Sequence, residues 1–439
     1  MSNGITRRSF GKVGAAAAIS ATALSASRVY GANERIRLGF IGVANRGGQL
    51  LKAFQAHDDA EVVALCDVDR GTLEAANAKR VDGRAETYGD FRRLIDRRDL
   101  DAVVIATPDH WHAIMTIAAC RAGKDVYVEK PLSKTIYEGR KMVEAARKHE
   151  SVVQVGTHRR SAQLYADAAK LIAAGTLGKI SISRAFRLSN MFPKGIGKEN
   201  PTAPPANLDW DMWLGPRPAR PYQANIAPYK FRWWDLFSSQ TANFGVHRLD
   251  VMRWLTGELA PSSVCAMGGK FAVDDDRTIP DTMQSTFEFA SGGLAVFGQY
   301  EASQNLALPG PRDLARAKVE LRGTLGTLYI GDPGYEVLPE RGGQFQDRTP
   351  RMDPIRVEKS EGDYTEQHAR NFLDCVKSRQ HPTADVEIGH RSTTFSHLAN
   401  ISLATRMRIE WDAEREQITN CPEANEMLHY EYRKPWTLD

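Results

Sequence analysis

Ile36-Arg37-Leu38-Gly39-Phe40-Ile41-Gly42-Val43-Ala44-Asn45-Arg46-Gly47 is the stretch that decides the fold. An apolar run ends in a glycine turn, and Leu50, Leu51 and Phe54 then recur at helical spacing, so the segment reads as strand, tight turn and helix. Gly42 permits the turn and Gly47 lets the helix approach the strand, while free amides at the helix start suit a pyrophosphate. Ala44 stands at the middle glycine position of such loops and narrows the gap between backbone and phosphate. A second strand, Glu61 to Cys66, ends at Asp67, twenty residues beyond Gly47. A carboxylate there accepts both ribose hydroxyls and repels a 2′-phosphate, so the expected cofactor is NAD rather than NADP. Arg70 is either a solvated surface charge or a phosphate partner.

Further along, Ala102 to Ala106 reads as a strand and Trp111 to Ala122 as a helix closed by Gly123. Val126 to Val128 is another strand, and a long helix through Met142 and Ala146 leads to Val152 to Val155. Strand and helix in this rhythm imply a parallel, doubly wound sheet. Two strings, Thr107-Pro108-Asp109-His110-Trp111-His112 and Glu129-Lys130-Pro131, close strands at their carboxyl ends, where such sheets bind ligands.

Together with Gly178-Lys179-Ile180, Gly245-Val246-His247-Arg248-Leu249-Asp250 and the closing strings Asn371-Phe372-Leu373-Asp374-Cys375, Glu387-Ile388-Gly389-His390-Arg391 and Arg433-Lys434-Pro435-Trp436, these motifs make the chain resemble the glucose-fructose oxidoreductase / inositol dehydrogenase family (Gfo/Idh/MocA), in its exported bacterial branch. The resemblance spans nearly all of the chain after the first thirty residues. It implies an α/β protein: a Rossmann-type NAD-binding domain at 34–158, then an α+β domain at 159–439 with a large, mostly antiparallel sheet for substrate binding and oligomerisation. The second half supports this independently. Met283 to Phe289, Leu294 to Tyr300, Val319 to Leu321 and Leu328 to Ile330 read as strands between Gly-rich turns, and Tyr165 to Ala174 as a helix. An open sheet face needs a cover, so a homo-oligomer is the default.

The N-terminus carries an address. Thr6-Arg7-Arg8-Ser9-Phe10-Gly11-Lys12 precedes an Ala-rich run from Val13 to Ser27, the pattern of a twin-arginine export signal over residues 1–32. That run is too short for a membrane anchor, and no later stretch is long enough to span. Lys and Arg number 58 against 54 Asp and Glu, and the first 32 residues hold the excess of four, so the remainder is neutral. Neutrality removes the electrostatic basis for a nucleic-acid partner. Five cysteines without a CxxC pair are expected to be unpaired, which suits folding in the cytoplasm before export through the twin-arginine machinery to the periplasm. Such a protein collects its cofactor before it leaves, so tightly bound NAD is expected.

Asn190 to Phe237 differs in character, with eight of the 21 prolines and Trp210, Trp213, Trp233 and Trp234. It reads as an ordered wrap or lid, whose aromatics pin a long loop or stack on a sugar. Oxidising a secondary alcohol requires a proton acceptor and a group that holds the oxygen. Lys130 suits the second role and shares the first. His247 and Asp250, three apart on a helix running to Leu255, are expected to share a face. The family resemblance places His247 at the nicotinamide. It also implies a frequent Asp four residues earlier, where this chain has Asn243. Asn cannot titrate, so the proton work falls to His247 and Lys130. Gly42, Ala44, Asn45, Arg46, Gly47, Asp67, Thr107, Pro108, His112, Glu129 and Lys130 are the expected cofactor contacts; His112 either orients the site or joins the chemistry. His110, His158 and His390 read as structural, and no ligand spacing points to a metal. The expectation is an NAD-dependent oxidoreductase acting on a sugar, polyol or glycoside. Alternatives are transient oxidation for glycoside cleavage or epimerisation, and a silent sugar-binding protein that retains the fold.

Overall fold

The computed structural model describes residues 35–305, 318–358 and 362–438; the export signal expected over residues 1–32 lies outside the described residues. The first sheet has six parallel strands in the order β3-β2-β1-β4-β5-β6. They are β1 (Ile36–Ile41), β2 (Ala60–Cys66), β3 (Glu86–Tyr88), β4 (Ala102–Ile105), β5 (Asp125–Val128) and β6 (Val153–Val155). The order reverses between β1 and β4, which opens a crevice at their carboxyl ends. β3 has no periodicity to betray it, being three residues long with Glu86 and Thr87 exposed.

The second sheet has eleven strands and is mixed, mostly antiparallel. Its members are β7 (Ile180–Asn190), β8 (Ser263–Gly269), β9 (Thr282–Glu288), β10 (Leu294–Tyr300), β11 (Ala302–Ser303), β12 (Val319–Gly323), β13 (Gly326–Gly331), β14 (Gly334–Pro339), β15 (Ile355–Glu358), β16 (Ile409–Asp412) and β17 (Gln417–Ile418). The central strand β7 runs parallel to β10 and antiparallel to β12. The protein is therefore α/β, a Rossmann-like sheet followed by a domain built on a large mixed sheet.

One helix departs from the expected division at residue 158. Tyr364–Ser378 follows the second sheet in the chain, yet Ala369, Phe372, Leu373 and Val376 lie in the core of the first. Phe54 explains why: its ring meets Phe40, Tyr127 and Phe372 edge-on at centroid distances of 5.8, 5.6 and 6.0 Å, so without Phe372 the cluster would lack one side. The next helix, Val386–Thr405, packs Phe395, Leu398 and Ala399 into the core of the second sheet, while its first residue, Val386, sits in a core of the first. The two helices thus join the sheets around the crevice.

The Pro- and Trp-rich segment forms its own cluster. Trp210, Trp213, Trp233 and Trp234 are buried together with Phe231 and Phe237, Trp210 stacking on Trp213 at 4.8 Å. The tryptophans pin the wrap, as the structural reading of them expected.

Candidate active site

The glycine loop is a close-packed strand-to-helix turn. Gly42 has φ +82°, and a Cβ on it would lie 2.8 Å from the Ala106 carbonyl carbon; a Cβ on Gly47 would lie 2.0 Å from the Gly42 oxygen. Neither position admits a side chain. The helix Asn45–Gln55 begins after Ala44 with no side-chain cap, which leaves its first amides for an anionic ligand. Asp67, at the end of β2, accepts from the Val43 amide and the Asp69 amide, each at 3.0 Å. Burial raises its pKa, against the pull of those two amides.

A cavity of about 480 Å³ joins these groups. Gly42, Ala44, Asn45, Arg46, Asp67, Thr107 and Pro108 line it from the first sheet. Asn207, Trp213, Tyr229, Phe231 and Arg232 line it from the wrap, which the sequence did not assign to the cofactor. The wrap is fastened at the Asp67 end: Asn207 Nδ2 donates to Asp69 at 2.9 Å, the Arg70 amide donates to the Asn207 carbonyl at 2.9 Å, and Asp69 bridges Leu208. The Arg70 side chain is exposed and does not line the cavity.

Four expected cofactor contacts, Gly47, His112, Glu129 and Lys130, are not among the residues that line the cavity. Glu129, buried, binds Arg46 Nε at 2.8 Å; although burial alone would raise its pKa, Arg46 and Lys130 hold its carboxyl below the usual range. His112 is buried with its ring nitrogens 2.7 Å from the Pro131 oxygen and 3.0 Å from the Thr107 oxygen. It ties the ends of β4 and β5 together and so orients the site. His110 faces the Trp213 carbonyl at 3.0 Å and His390 faces Glu416 at 2.7 Å, both structural contacts.

Lys130 and Asn243 meet. The ammonium donates to the Asn243 backbone oxygen at 2.9 Å and to its side-chain oxygen at 3.0 Å. Asn243 sits in a wide π-type turn, Thr241–Gly245, that leads into the helix Val246–Thr256 carrying His247. Burial lowers the Lys130 pKa to about 8, against the attraction of Glu129, and Arg232 adds to the fall. His247 makes no hydrogen bond to another described residue; its ring packs edge-on to His158 at 5.1 Å. Burial, then Lys130 and His158, hold its imidazole well below the ordinary value. His158 leaves Nδ1 buried with no partner.

Asp250 does not share this site, which corrects the expectation that it works beside His247. It is buried, binds Arg160 Nε at 2.9 and 3.0 Å and accepts from Ser392 at 2.6 Å. Positions three apart on a helix are separated by about 60° around its axis, enough for His247 to meet His158 while Asp250 turns to Arg160 and Ser392. Among the described residues no cluster of three or more His, Cys, Asp or Glu could hold a metal, and no helix is long and apolar enough to cross a membrane.

The loop, the carboxylate and the crevice define a dinucleotide-dependent oxidoreductase architecture, and the glycine cradle fits a pyrophosphate on backbone grounds alone. Residues 36–157 match the model of the oxidoreductase family with an NAD-binding Rossmann fold, and residues 167–297 and 344–438 match that family's C-terminal alpha/beta domain. The chain belongs to the Gfo/Idh/MocA oxidoreductase family and carries an NAD-binding domain. It is similar to myo-inositol 2-dehydrogenase of Thermotoga maritima, 24% identical over 85% of this chain and 98% of that protein. An alpha-N-acetylgalactosaminidase of Shewanella oneidensis is 37% identical over 120 residues, 26% of either protein. A levoglucosan dehydrogenase solved with NADH and levoglucosan shares the fold, with a TM-score of 0.64 at 19% identity over 86% of this chain and 99% of that one.

Proposed function

We propose that the protein oxidises a secondary alcohol of a sugar, polyol or glycoside, and that Lys130 takes the hydroxyl proton. The observation that carries this reading is the pair of bonds from Lys130 Nζ to Asn243. An ammonium has three hydrogens. With two held by Asn243, the third position is the one offered to a substrate, and when Lys130 is neutral its lone pair points there. A group titrating near 8 is a better acceptor at neutral pH than an imidazole held well below its ordinary value, so the proton role assigned to both residues from sequence concentrates on Lys130. His247, whose ring makes no hydrogen bond to a described residue, holds the substrate hydroxyl in line. NAD, bound on the glycine loop and Asp67, supplies the hydride acceptor. The wrap covers the cavity and excludes water.

Three further elements of the reading concern the protein's setting. Fastening of the wrap over the Asp67 end supports NAD that stays bound through many turnovers and through purification. The paired arginines and Ala-rich run support export to the periplasm by the twin-arginine machinery. Met267 and Phe271, 76% and 73% exposed on and just after β8, support a homo-oligomer that covers the outer face of the second sheet. A second reading, transient oxidation that enables glycoside cleavage or epimerisation, is favoured by the match to the alpha-N-acetylgalactosaminidase.

The test is to denature the purified exported protein, identify the released dinucleotide, and screen neutral and acidic sugars and polyols for reduction of the bound nicotinamide. NAD in the supernatant and a substrate-dependent rise in nicotinamide absorbance are expected. A protein that holds no dinucleotide, or whose nucleotide no sugar or polyol reduces, would overturn the reading.

A further inference from the structure

Hydride transfer does not account for all the positive charge beside Lys130 and His247. Phe244, next to the Asn243 that holds Lys130, carries the Arg187 guanidinium 3.9 Å from its ring centroid. Arg248, on the helix that carries His247, lies near enough for its charge to act on the His247 imidazole and for that of Arg187 to act on it. Neither guanidinium donates a hydrogen bond to a described residue, and Arg187 Nε is buried with no partner. Arg187 comes from β7, which packs on the turn that holds Asn243.

The carboxylates nearby are already engaged. Glu301, the one closest in effect to Arg187, accepts from Arg277 at 2.5 Å and from Trp233 at 3.0 Å. Asp332 takes both Arg159 bonds, at 3.0 and 3.1 Å, and the Tyr165 hydroxyl. Asp250 is held by Arg160 and Glu129 by Arg46. Burial, with Arg159 next, brings Arg248 down to about 9, the behaviour of a cation that lacks a counter-charge. A guanidinium drawn partly out of water without a counter-charge is costly, and the cost is relieved when an anion arrives. The planar fork of arginine matches oxyanions in two-point contact.

We infer that Arg187 and Arg248 form an oxyanion subsite of the substrate pocket, so that the sugar oxidised beside Lys130 carries a carboxylate or a phosphate. The inference rests on the sugar-oxidoreductase reading above and narrows it to acidic sugars.

The test measures binding rather than turnover, using the nucleotide-loaded protein as purified. The probes are matched sets of a neutral hexose, its uronate and its 6-phosphate in the gluco, galacto and manno series, titrated calorimetrically at constant pH and ionic strength. At least one acid should bind about 10- to 100-fold more tightly than its neutral partner, the worth of one charged hydrogen bond or more. A preferred uronate identifies a carboxylate, and a preferred 6-phosphate identifies a phosphate. Arg187→Gln and Arg248→Gln should each remove most of that preference, with Arg187→Lys and Arg248→Lys intermediate, since lysine keeps the charge and loses the fork. Dinucleotide content reports that each variant is folded.

Equal binding of acids and neutral sugars throughout the panel, no binding of any acid, or a preference that survives both Gln substitutions would overturn the subsite. If in that case a neutral sugar reduces the bound nucleotide, the oxidoreductase reading stands alone. If acids bind through the two arginines and none reduces the nucleotide, the subsite stands and the hydride-transfer reading falls.

Discussion

At the dinucleotide end of the cleft a carboxylate, Asp67, is steadied by two backbone amides, and glycines set the contact distances. At the alcohol end like charges lie near each other, Arg232 near Lys130 and Arg187 near Arg248, and the bonds that place Lys130 reach across 113 residues of sequence. The first end offers glycine-loop main chain and one carboxylate that main-chain amides hold, a shape that depends on a few neighbouring residues. The second uses long side chains from separate elements, held close to one another at an electrostatic cost. Backbone recognition suits an invariant cofactor. Side-chain recognition can be retuned for a new substrate one residue at a time.

If this division of labour is right, damage at each end should have a different signature. The largest effect belongs to the alcohol end. Lys130→Ala should lower the rate of bound-nucleotide reduction roughly 10⁴-fold, because it removes the proton acceptor and a contact to the reacting oxygen together. His247→Gln should cost only about tenfold, since an amide still holds the hydroxyl. Both variants should retain their dinucleotide. Stopped-flow single-turnover measurements compare them, and equal losses would return the proton to His247.

The dinucleotide end should respond in the opposite sense. Asp67→Ala should weaken NAD binding roughly 10- to 100-fold and relax discrimination against NADP, with little change in single-turnover rate once the site is filled. Equilibrium titration of nucleotide-stripped protein with each dinucleotide is the measurement. A variant that binds as well as the wild type would mean that the ribose is held elsewhere, for example by the wrap.

A fourth substitution probes the charge at the alcohol end. The ammonium of Lys130 must lose its proton before it can accept one, so the oxidation rate should rise with pH through about 8. Asn243→Asp places a carboxylate where Nζ now meets the amide oxygen at 3.0 Å. An opposite charge favours the ammonium, so the inflection should move up by roughly one unit and the rate at pH 7 should fall accordingly. A profile that keeps its inflection would show that another group limits the rate.

The same contrast explains what the sequence could and could not disclose. Gly42, Gly47 and Asp67 were legible because a turn, a helix start and a strand end lie within one short stretch and obey local sterics. The placement of Lys130 just past the end of β5 was legible from the sequence. Asp250 misled because Arg160, its partner, lies 90 residues away, and helical spacing alone cannot say which side of the helix faces the core. Arg187 sits in a strand of ordinary alternation, and nothing local marks it as unpaired. The helix Tyr364–Ser378 reads like any amphipathic helix; only the three-dimensional cluster around Phe54 assigns it to the first sheet. The wrap was recognisable by composition, but the partner it covers was not.

The smallest effect tests that cover directly. Asn207 donates to Asp69 at 2.9 Å across 138 residues, and its carbonyl accepts the Arg70 amide, so it latches the wrap beside Asp67. Asn207→Ala removes the side-chain bond and keeps the main-chain one. This bond is exposed and accepted by a carboxylate, and it is worth about 1 kcal/mol, which corresponds to roughly fivefold. Dinucleotide release should therefore quicken about fivefold, while the pH inflection set by Lys130 and the rate of hydride transfer stay as they are, because neither depends on the ribose end. Displacement of bound NADH by excess NAD, followed by fluorescence, resolves a change of that size. Release at the wild-type rate would show that the nucleotide leaves without opening the wrap at Asn207, and the retention of cofactor would then have to come from the glycine loop and Asp67 alone.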